Sequence, residues 1–161
     1  MRRPAQYFRA GVGGVITDRR GRVLVCERRD IPGSWQFPQG GLEKGETPIV
    51  AVFREIKEET GFAKSSLRLS RRYPDLLAYE LPPQARSAKV GLGQVQYWFL
   101  FELKRDAMVG DFKSTTEFRA AEWVSFAKAI RGVVAFKRSV YRKLRICFED
   151  RVSEKTRSSE D

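Results

Sequence analysis

Apolar and polar residues alternate along the chain in a pattern that predicts strands interspersed with a few helices. Two apolar runs, 12–17 and 23–26, flank the turn residues 18–21 and predict a β-hairpin. The remaining strands are predicted at 35–37, 67–69, 76–81, 95–103 and 122–124, and two further helices at 125–131 and 134–148. We therefore expect one α+β domain over residues 1–149 and a disordered polar tail over 150–161.

One predicted helix has clear start and stop signals. Thr47 is a candidate N-cap, Pro48 suits the first helical position, and Gly61 is placed to end the helix in a left-handed conformation. The apolar residues between them recur at helical spacing and predict one buried face: Ile49, Val52, Phe53 and Ile56.

Composition narrows the possible chemistry. The 161 residues contain no histidine, which excludes serine–histidine triads and histidine-held zinc. The two cysteines have no metal-ligand spacing and suit a reducing cytoplasm. The net charge of +11 favours a polyanionic partner, and no apolar stretch is long enough to predict a membrane span or a secretory signal.

Three glutamates on the predicted helix, Glu55, Glu58 and Glu59, stand at positions i, i+3 and i+4. This spacing puts them on one side of a helix, where like charges destabilise it unless a cation compensates them. Mg²⁺ or Mn²⁺, which prefer oxygen ligands, are suitable cations. Taken alone, the same pattern also fits a solvated acidic helix face.

The surrounding residues favour the metal site. A glycine-rich segment, 40–46, leads into the helix, and the run 54–62 reads R-E-I-K-E-E-T-G-F. Together they fill every fixed position of the Nudix box: Gly40, Glu46, Arg54, Glu55, Glu58, Glu59 and Gly61, with Ile56 and Phe62 at the hydrophobic positions. The chain therefore resembles a Nudix hydrolase, an enzyme that cleaves phosphoanhydride bonds with the help of magnesium.

The resemblance implies the Nudix fold, a mixed β-sheet sandwiched between helices, and it implies roles for the box residues. Glu55, Glu58 and Glu59 would hold one to three Mg²⁺ ions, together with the main-chain carbonyl of Gly40. Glu46 and Arg54 would brace the loop against the helix. A carboxylate such as Glu58 or Glu55 would accept the proton of the attacking water.

Flanking segments resemble one Nudix subgroup, the bacterial RNA pyrophosphohydrolases and dinucleoside polyphosphate hydrolases. The segments are 34–41, 93–100 and 133–141. The subgroup implies that Glu117 is a further metal carboxylate or the base, although it also fits an ordinary loop glutamate. It implies substrate contacts by these residues: Arg29, Ser34, Gln39, Tyr79, Val134, Phe136 and Lys137.

Phe136 would stack on a base with Tyr79 nearby, but both aromatic residues also fit a purely structural role in the core. Basic residues cluster on the last predicted helix and would attract an RNA 5′ end, or would form a solvated helix face: Lys137, Arg138, Arg142, Lys143 and Arg145. In the subgroup an arginine next to a proline follows an early tyrosine and helps bind RNA. Here residues 7–11 read Y-F-R-A-G, with no proline, so the role of Arg9 stays open.

Three functions follow from this sequence. The first is an RNA pyrophosphohydrolase that removes pyrophosphate from a 5′-triphosphate end, and the second is a diadenosine tetraphosphate hydrolase with the same residues. The third, a non-catalytic nucleotide or RNA sensor, fits less well because the three helix glutamates are all present. We expect RNA or a dinucleoside polyphosphate as substrate and neither DNA nor a membrane as partner; the sequence does not indicate which proteins it contacts.

Overall fold

The computed structural model describes residues 6–104 and 114–158, and from residue 150 onward only the main chain. The strands are β1 (Phe8–Thr17), β2 (Val23–Arg28), β3 (Trp35–Gln36), β4 (Gln39–Gly41), β5 (Leu67–Arg72), β6 (Leu77–Glu80), β7 (Gly93–Leu103) and β8 (Phe118–Val124). The helices are α1 (Pro48–Thr60), α2 (Phe126–Gly132) and α3 (Arg138–Ser158). Short 3₁₀ turns occupy Lys64–Ser66, Pro83–Ala85 and Ala135–Lys137.

Within the described residues, all eight strands belong to one mixed sheet with the central order β3-β2-β1-β7-β5. β1 and β7 pair in parallel along their whole shared length, from Phe8 beside Gly93 to Thr17 beside Glu102. The other pairings are antiparallel, with β4 on β1, β6 on β7 and β8 on β2. The long parallel pair therefore forms the centre of the domain.

The sheet is covered on both faces because successive strand residues point to opposite sides. Val12 and Ile16 of β1 pack with α1 and with Phe99 and Phe101 of β7. Val15, between them, belongs to the second cluster, which packs under α2 and α3. Trp98, Tyr141, Leu144 and Phe148 fill this second layer. The predicted α+β sandwich is thus confirmed.

The predicted helix at 47–61 is confirmed, with a difference at its start. Thr47 caps α1 with its main-chain carbonyl, which accepts from Ala51 N–H at 3.0 Å, and its side chain makes no cap bond. Gly61 ends the helix at φ +84° and donates to the carbonyl of Lys57 at 3.0 Å. A residue with a side chain would be strained in that conformation.

Several boundaries differ from the predictions, mostly because pairing or helix propensity extends an element. Gly40 and Gly41, predicted to begin a glycine-rich loop, belong with Gln39 to β4, which pairs with β1. β8 begins at Phe118 and not at 122, since it pairs with β2 as far as Arg28. A disordered tail was predicted from residue 150. α3 continues to Ser158, through a segment without glycine or proline; residues 159–161 lie outside the described part.

Candidate active site

β4 and α1 meet at Gly40 and Glu55. A Cβ atom at Gly40 would overlap Cδ and both carboxylate oxygens of Glu55, all at less than 3.0 Å. Only glycine leaves room for this carboxylate against the main chain of β4. Burial raises the pKa of Glu55, and Arg54 opposes that rise. The predicted pair of Gly40 and Glu55 is therefore brought together directly.

Arg54 connects the loop before α1 to the helix. Its Nε and Nη2 donate to the two carboxylate oxygens of Glu46 at 2.7 and 2.8 Å. Nη2 also donates to the carbonyl of Gly41 at 3.0 Å, and Nη1 donates to Glu55 at 2.8 Å. These contacts agree with a bracing role for Arg54 and Glu46 and leave both side chains occupied.

The Glu46–Arg54 pair should contribute to the pH dependence of the unfolding free energy at acid pH. The hydrogen bonds from Arg54 lower the pKa of Glu46 from 4.5 to about 2. A lowered folded-state pKa contributes stability above pH 4.5, and this stability is lost as the pH falls toward 2. We expect Glu46→Gln to flatten the pH dependence of the unfolding free energy in this window, measured by urea denaturation. An exposed carboxylate on β8 provides the control, Glu122→Gln, and equal flattening in both variants would contradict the assignment.

Glu59 is the most deeply placed acid of the candidate site, with 2% of its surface exposed. Its Oε2 accepts from the main-chain N–H of Gln39 at 3.0 Å, whereas its buried Oε1 has no hydrogen-bond partner among the described residues. Burial raises the pKa of Glu59 well above the ordinary value, and the carboxylates of Glu117 and Glu55 raise it further. A buried carboxylate in this state needs a cation or a proton.

Glu117 approaches Glu59 from the segment that precedes β8. Arg29 fixes that segment: its main-chain N–H donates to the carbonyl of Glu117 at 2.8 Å, and its guanidinium donates to Thr115 O and Ser114 Oγ at 3.0 Å. Partial burial of the carboxylate is the largest cause that raises the pKa of Glu117. The structure thus gives Arg29 a role in holding Glu117 that the sequence did not suggest.

Glu58 is placed differently. Its side chain is 58% exposed and accepts from Nη1 of Arg54 at 3.3 Å. Among the described residues, no three acidic or cysteine side chains stand together as a ready metal site. Arg54 meanwhile donates to both Glu55 and Glu58. The donor chemistry nevertheless fits a divalent cation: Glu55, Glu59 and Glu117 offer oxygen ligands, and one buried oxygen has no partner.

Two of the predicted substrate contacts, Tyr79 and Phe136, pack with the core cluster on the α3 side of the sheet. The rings of Tyr79 and Phe136 are 5.7 Å apart and tilted by 37°. Tyr79 is a buried member of the core, whereas Phe136 is half-buried. The side-chain amide of Gln39 donates to the hydroxyl of Tyr79 at 3.5 Å, and its main-chain N–H donates to Glu59. Gln39 therefore connects the aromatic pair to Glu59.

Lys137 is buried beside the same pair. Its Nζ donates to Oε1 of Gln36 at 3.2 Å and lies 5.5 Å above the ring of Tyr79. Burial, followed by the charge of Arg28, lowers the pKa of Lys137 to about 8, while Glu59 and Glu117 oppose that shift. No local pattern pointed to Gln36, which lies 101 residues before Lys137 in the chain and accepts its hydrogen bond.

The remaining predicted residues have main-chain roles here. The carbonyl of Ser34 accepts from Arg28 N–H at 2.9 Å in the loop before β3, and the carbonyl of Val134 accepts from Lys137 N–H at 3.0 Å. Arg9, whose role the sequence left open, reaches the site: a Cβ atom at Gly41 would overlap its guanidinium. Its charge also lowers the pKa of Tyr79 against the larger effect of burial.

This arrangement can be compared with known proteins. The family model for the NUDIX domain matches residues 7–144. The chain belongs to the Nudix family. The predicted family and fold are therefore confirmed.

Relatives of similar sequence are named RNA pyrophosphohydrolases. That of Actinobacillus pleuropneumoniae serotype 3 (strain JL03) is 43% identical over 85% of this chain and 69% of its own length. That of Haemophilus ducreyi is 41% identical over 95% of this chain and 80% of its own length.

Solved structures show the same fold at lower sequence identity. A C. elegans Ap4A hydrolase binary complex matches with a TM-score of 0.69 and 22% identity, covering 88% of this chain and 98% of the other. The E. coli dihydroneopterin triphosphate pyrophosphohydrolase also matches with a TM-score of 0.69, at 24% identity, covering 86% of this chain and 97% of the other. No helix in the described ranges has the length and apolar character needed to cross a membrane.

Proposed function

We propose that this Nudix protein removes pyrophosphate from the 5′-triphosphate end of RNA and leaves a 5′-monophosphate. The observation that carries the proposal is the junction between Glu59 and the aromatic pair. Gln39 donates its main-chain N–H to Glu59 and its side-chain amide to Tyr79, which lies against Phe136. If the acidic residues hold the 5′ phosphates, the first nucleotides of the RNA lie beside Tyr79 and Phe136, which form an aromatic platform. Curated relatives at 41–43% identity carry the name of this activity.

Mg²⁺, or Mn²⁺ in its place, is the cofactor in this proposal. Glu55, Glu59 and Glu117 would hold it with the carbonyl of Gly40, and exposed Glu58 would complete the ligand set once freed from Arg54. When bound, the cation neutralises phosphate oxygens and lowers the pKa of a bound water. Glu58 or Glu117 would accept the proton of that water, because both carboxylates combine solvent access with a position at the acidic group.

The cationic side chains have separate tasks in this scheme. Lys137, whose ammonium lies 5.5 Å above the ring of Tyr79, would contact the phosphates beside the aromatic pair. Arg9, beside Gly41, would contact the substrate from the opposite strand. Arg29 would serve mainly by fixing Glu117, and Ser34 and Val134 would contribute main-chain groups. A cytoplasmic location is part of the proposal and agrees with the free thiols of Cys26 and Cys147.

A comparison of two substrates tests the proposal. The protein is incubated with Mg²⁺ and either 5′-triphosphate RNA or diadenosine tetraphosphate, and kcat/KM is measured for each. We expect the value for RNA to be at least tenfold higher, with pyrophosphate and 5′-monophosphate RNA as products. A higher kcat/KM for the dinucleotide would replace this proposal with the diadenosine tetraphosphate hydrolase, which uses the same acids and platform.

A further inference from the structure

A groove of about 500 Å³ lies between α2 and α3, away from the acidic residues of the candidate site. α3 buries Val140, Tyr141, Leu144 and Phe148 against the sheet, so the groove lies on the outer side of the two helices. We name it the α2–α3 groove. Its lining residues are Ala127, Ile130, Arg131, Arg142, Arg145, Ile146 and Glu149.

The charge of this groove is unbalanced. Arg145 donates to Glu149 at 3.1 Å, which compensates one cation. Arg131 and Arg142 are exposed, and neither forms an ion pair with a described carboxylate. Arg138 adds a further guanidinium at the edge, where it donates to the carbonyls of Val133 and Arg131. An anion that entered the groove would therefore meet two uncompensated guanidinium groups.

We propose that the α2–α3 groove binds the phosphate backbone of single-stranded RNA downstream of the 5′ end. The 3₁₀ turn that carries Phe136 leads directly into α3, and Arg142 and Arg145 follow one and two turns along it. At 1.5 Å per residue, Arg145 lies about 10 Å beyond Arg138 along the helix axis. About three stacked nucleotides cover that distance.

The composition of the groove favours RNA over a protein partner. Four of its seven lining side chains are charged, whereas the buried centre of a protein–protein interface is depleted in charge. Interfaces with nucleic acids are polar and positively charged. The aliphatic residues fit the same partner: Ile146 is 77% exposed and, with Ile130, offers an apolar surface to riboses and base faces.

The inference rests on the proposed function, since the RNA in the groove would be the substrate itself. It is tested with the double variant Arg131→Gln/Arg142→Gln. The control, Arg19→Gln/Lys104→Gln, removes the same charge from two exposed positions that follow the ends of β1 and β7. The substrates are a twelve-nucleotide 5′-triphosphate RNA and a 5′-triphosphate dinucleotide, which is too short to reach the groove.

We expect the double variant to lower kcat/KM for the longer RNA by about fivefold or more at low salt. The slope of log(kcat/KM) against log salt concentration should become shallower by about 1.4, because two phosphate contacts are lost. The dinucleotide should react at the control rate. Arg131→Lys/Arg142→Lys should restore most of the loss, because it restores the charge. An unfolding temperature equal to that of the control variant would show that the double variant is folded.

Binding of a twelve-nucleotide 5′-monophosphate RNA, followed by fluorescence anisotropy, tests the groove without catalysis. A weaker affinity of the double variant than of the control is the expected result. Equal affinities would overturn the inference and leave an acidic protein as the better occupant. If the wild-type protein hydrolyses neither triphosphate RNA but the binding difference persists, the proposed function fails while the groove assignment stands.

Discussion

Glu58→Gln is expected to lower kcat for 5′-triphosphate RNA by about 10³-fold, which corresponds to about 4 kcal/mol of transition-state stabilisation. The amide keeps the shape of the side chain but removes a negative ligand and a proton acceptor from the site. Fold stability should stay close to the wild-type value, because the side chain is 58% exposed and its hydrogen bond within the described residues, from Arg54, is long at 3.3 Å. Single-turnover kinetics at saturating Mg²⁺ measure the change.

A matched exposed carboxylate on β8 separates this effect from a general loss of charge. Glu122→Gln should keep the wild-type kcat. Mg²⁺ should also raise the unfolding temperature of the wild-type protein and of Glu122→Gln by more than that of Glu58→Gln, since a ligand stabilises the folded state in proportion to its binding. Wild-type turnover by Glu58→Gln would show that Glu58 neither holds the metal nor accepts the proton.

The sequence predicted α1 well because the information there is local. Proline and glycine mark the two ends of the helix, helical spacing identifies the buried Val52 and Ile56, and a dense motif places the glutamates. The hairpin before it was also predicted. Asp18 stabilises its turn by accepting from the N–H groups of Arg20 and Arg22 at 3.0 and 2.8 Å.

What the sequence could not give depends on contacts between distant residues. The spacing of the three glutamates on the helix does not reveal that Glu59 is buried and that Glu58 is exposed. That difference arises because β4 and the segment of Glu117 cover one side of α1. The bond from Lys137 to Gln36 and the role of Arg29 in holding the segment of Glu117 likewise have no local pattern. The family resemblance pointed to several of these residues without giving their contacts.

Gly40→Ala is expected to reduce kcat/KM by at least about 100-fold, through displacement of Glu55. The new Cβ atom would overlap Cδ and both oxygens of that carboxylate, each at less than 3.0 Å. Glu55 cannot move freely, because Arg54 holds it at 2.8 Å while also holding Glu46 and the carbonyl of Gly41. Either the carboxylate leaves β4 or the braced loop shifts, and each change separates Glu55 from the Gly40 carbonyl.

Gly132→Ala is the matched control, since a Cβ atom at Gly132 would meet no heavy atom within 4 Å. This variant should keep wild-type activity and stability, whereas overpacking at Gly40 should cost about 1–3 kcal/mol of unfolding free energy. The loss of activity should exceed what the unfolded fraction explains, and Gly40→Ala should bind Mg²⁺ more weakly in calorimetry. A variant with wild-type kcat/KM and Mg²⁺ affinity would mean that the contact of Glu55 with β4 is not part of the catalytic arrangement. The function would then have to rest on Glu58, Glu59 and Glu117.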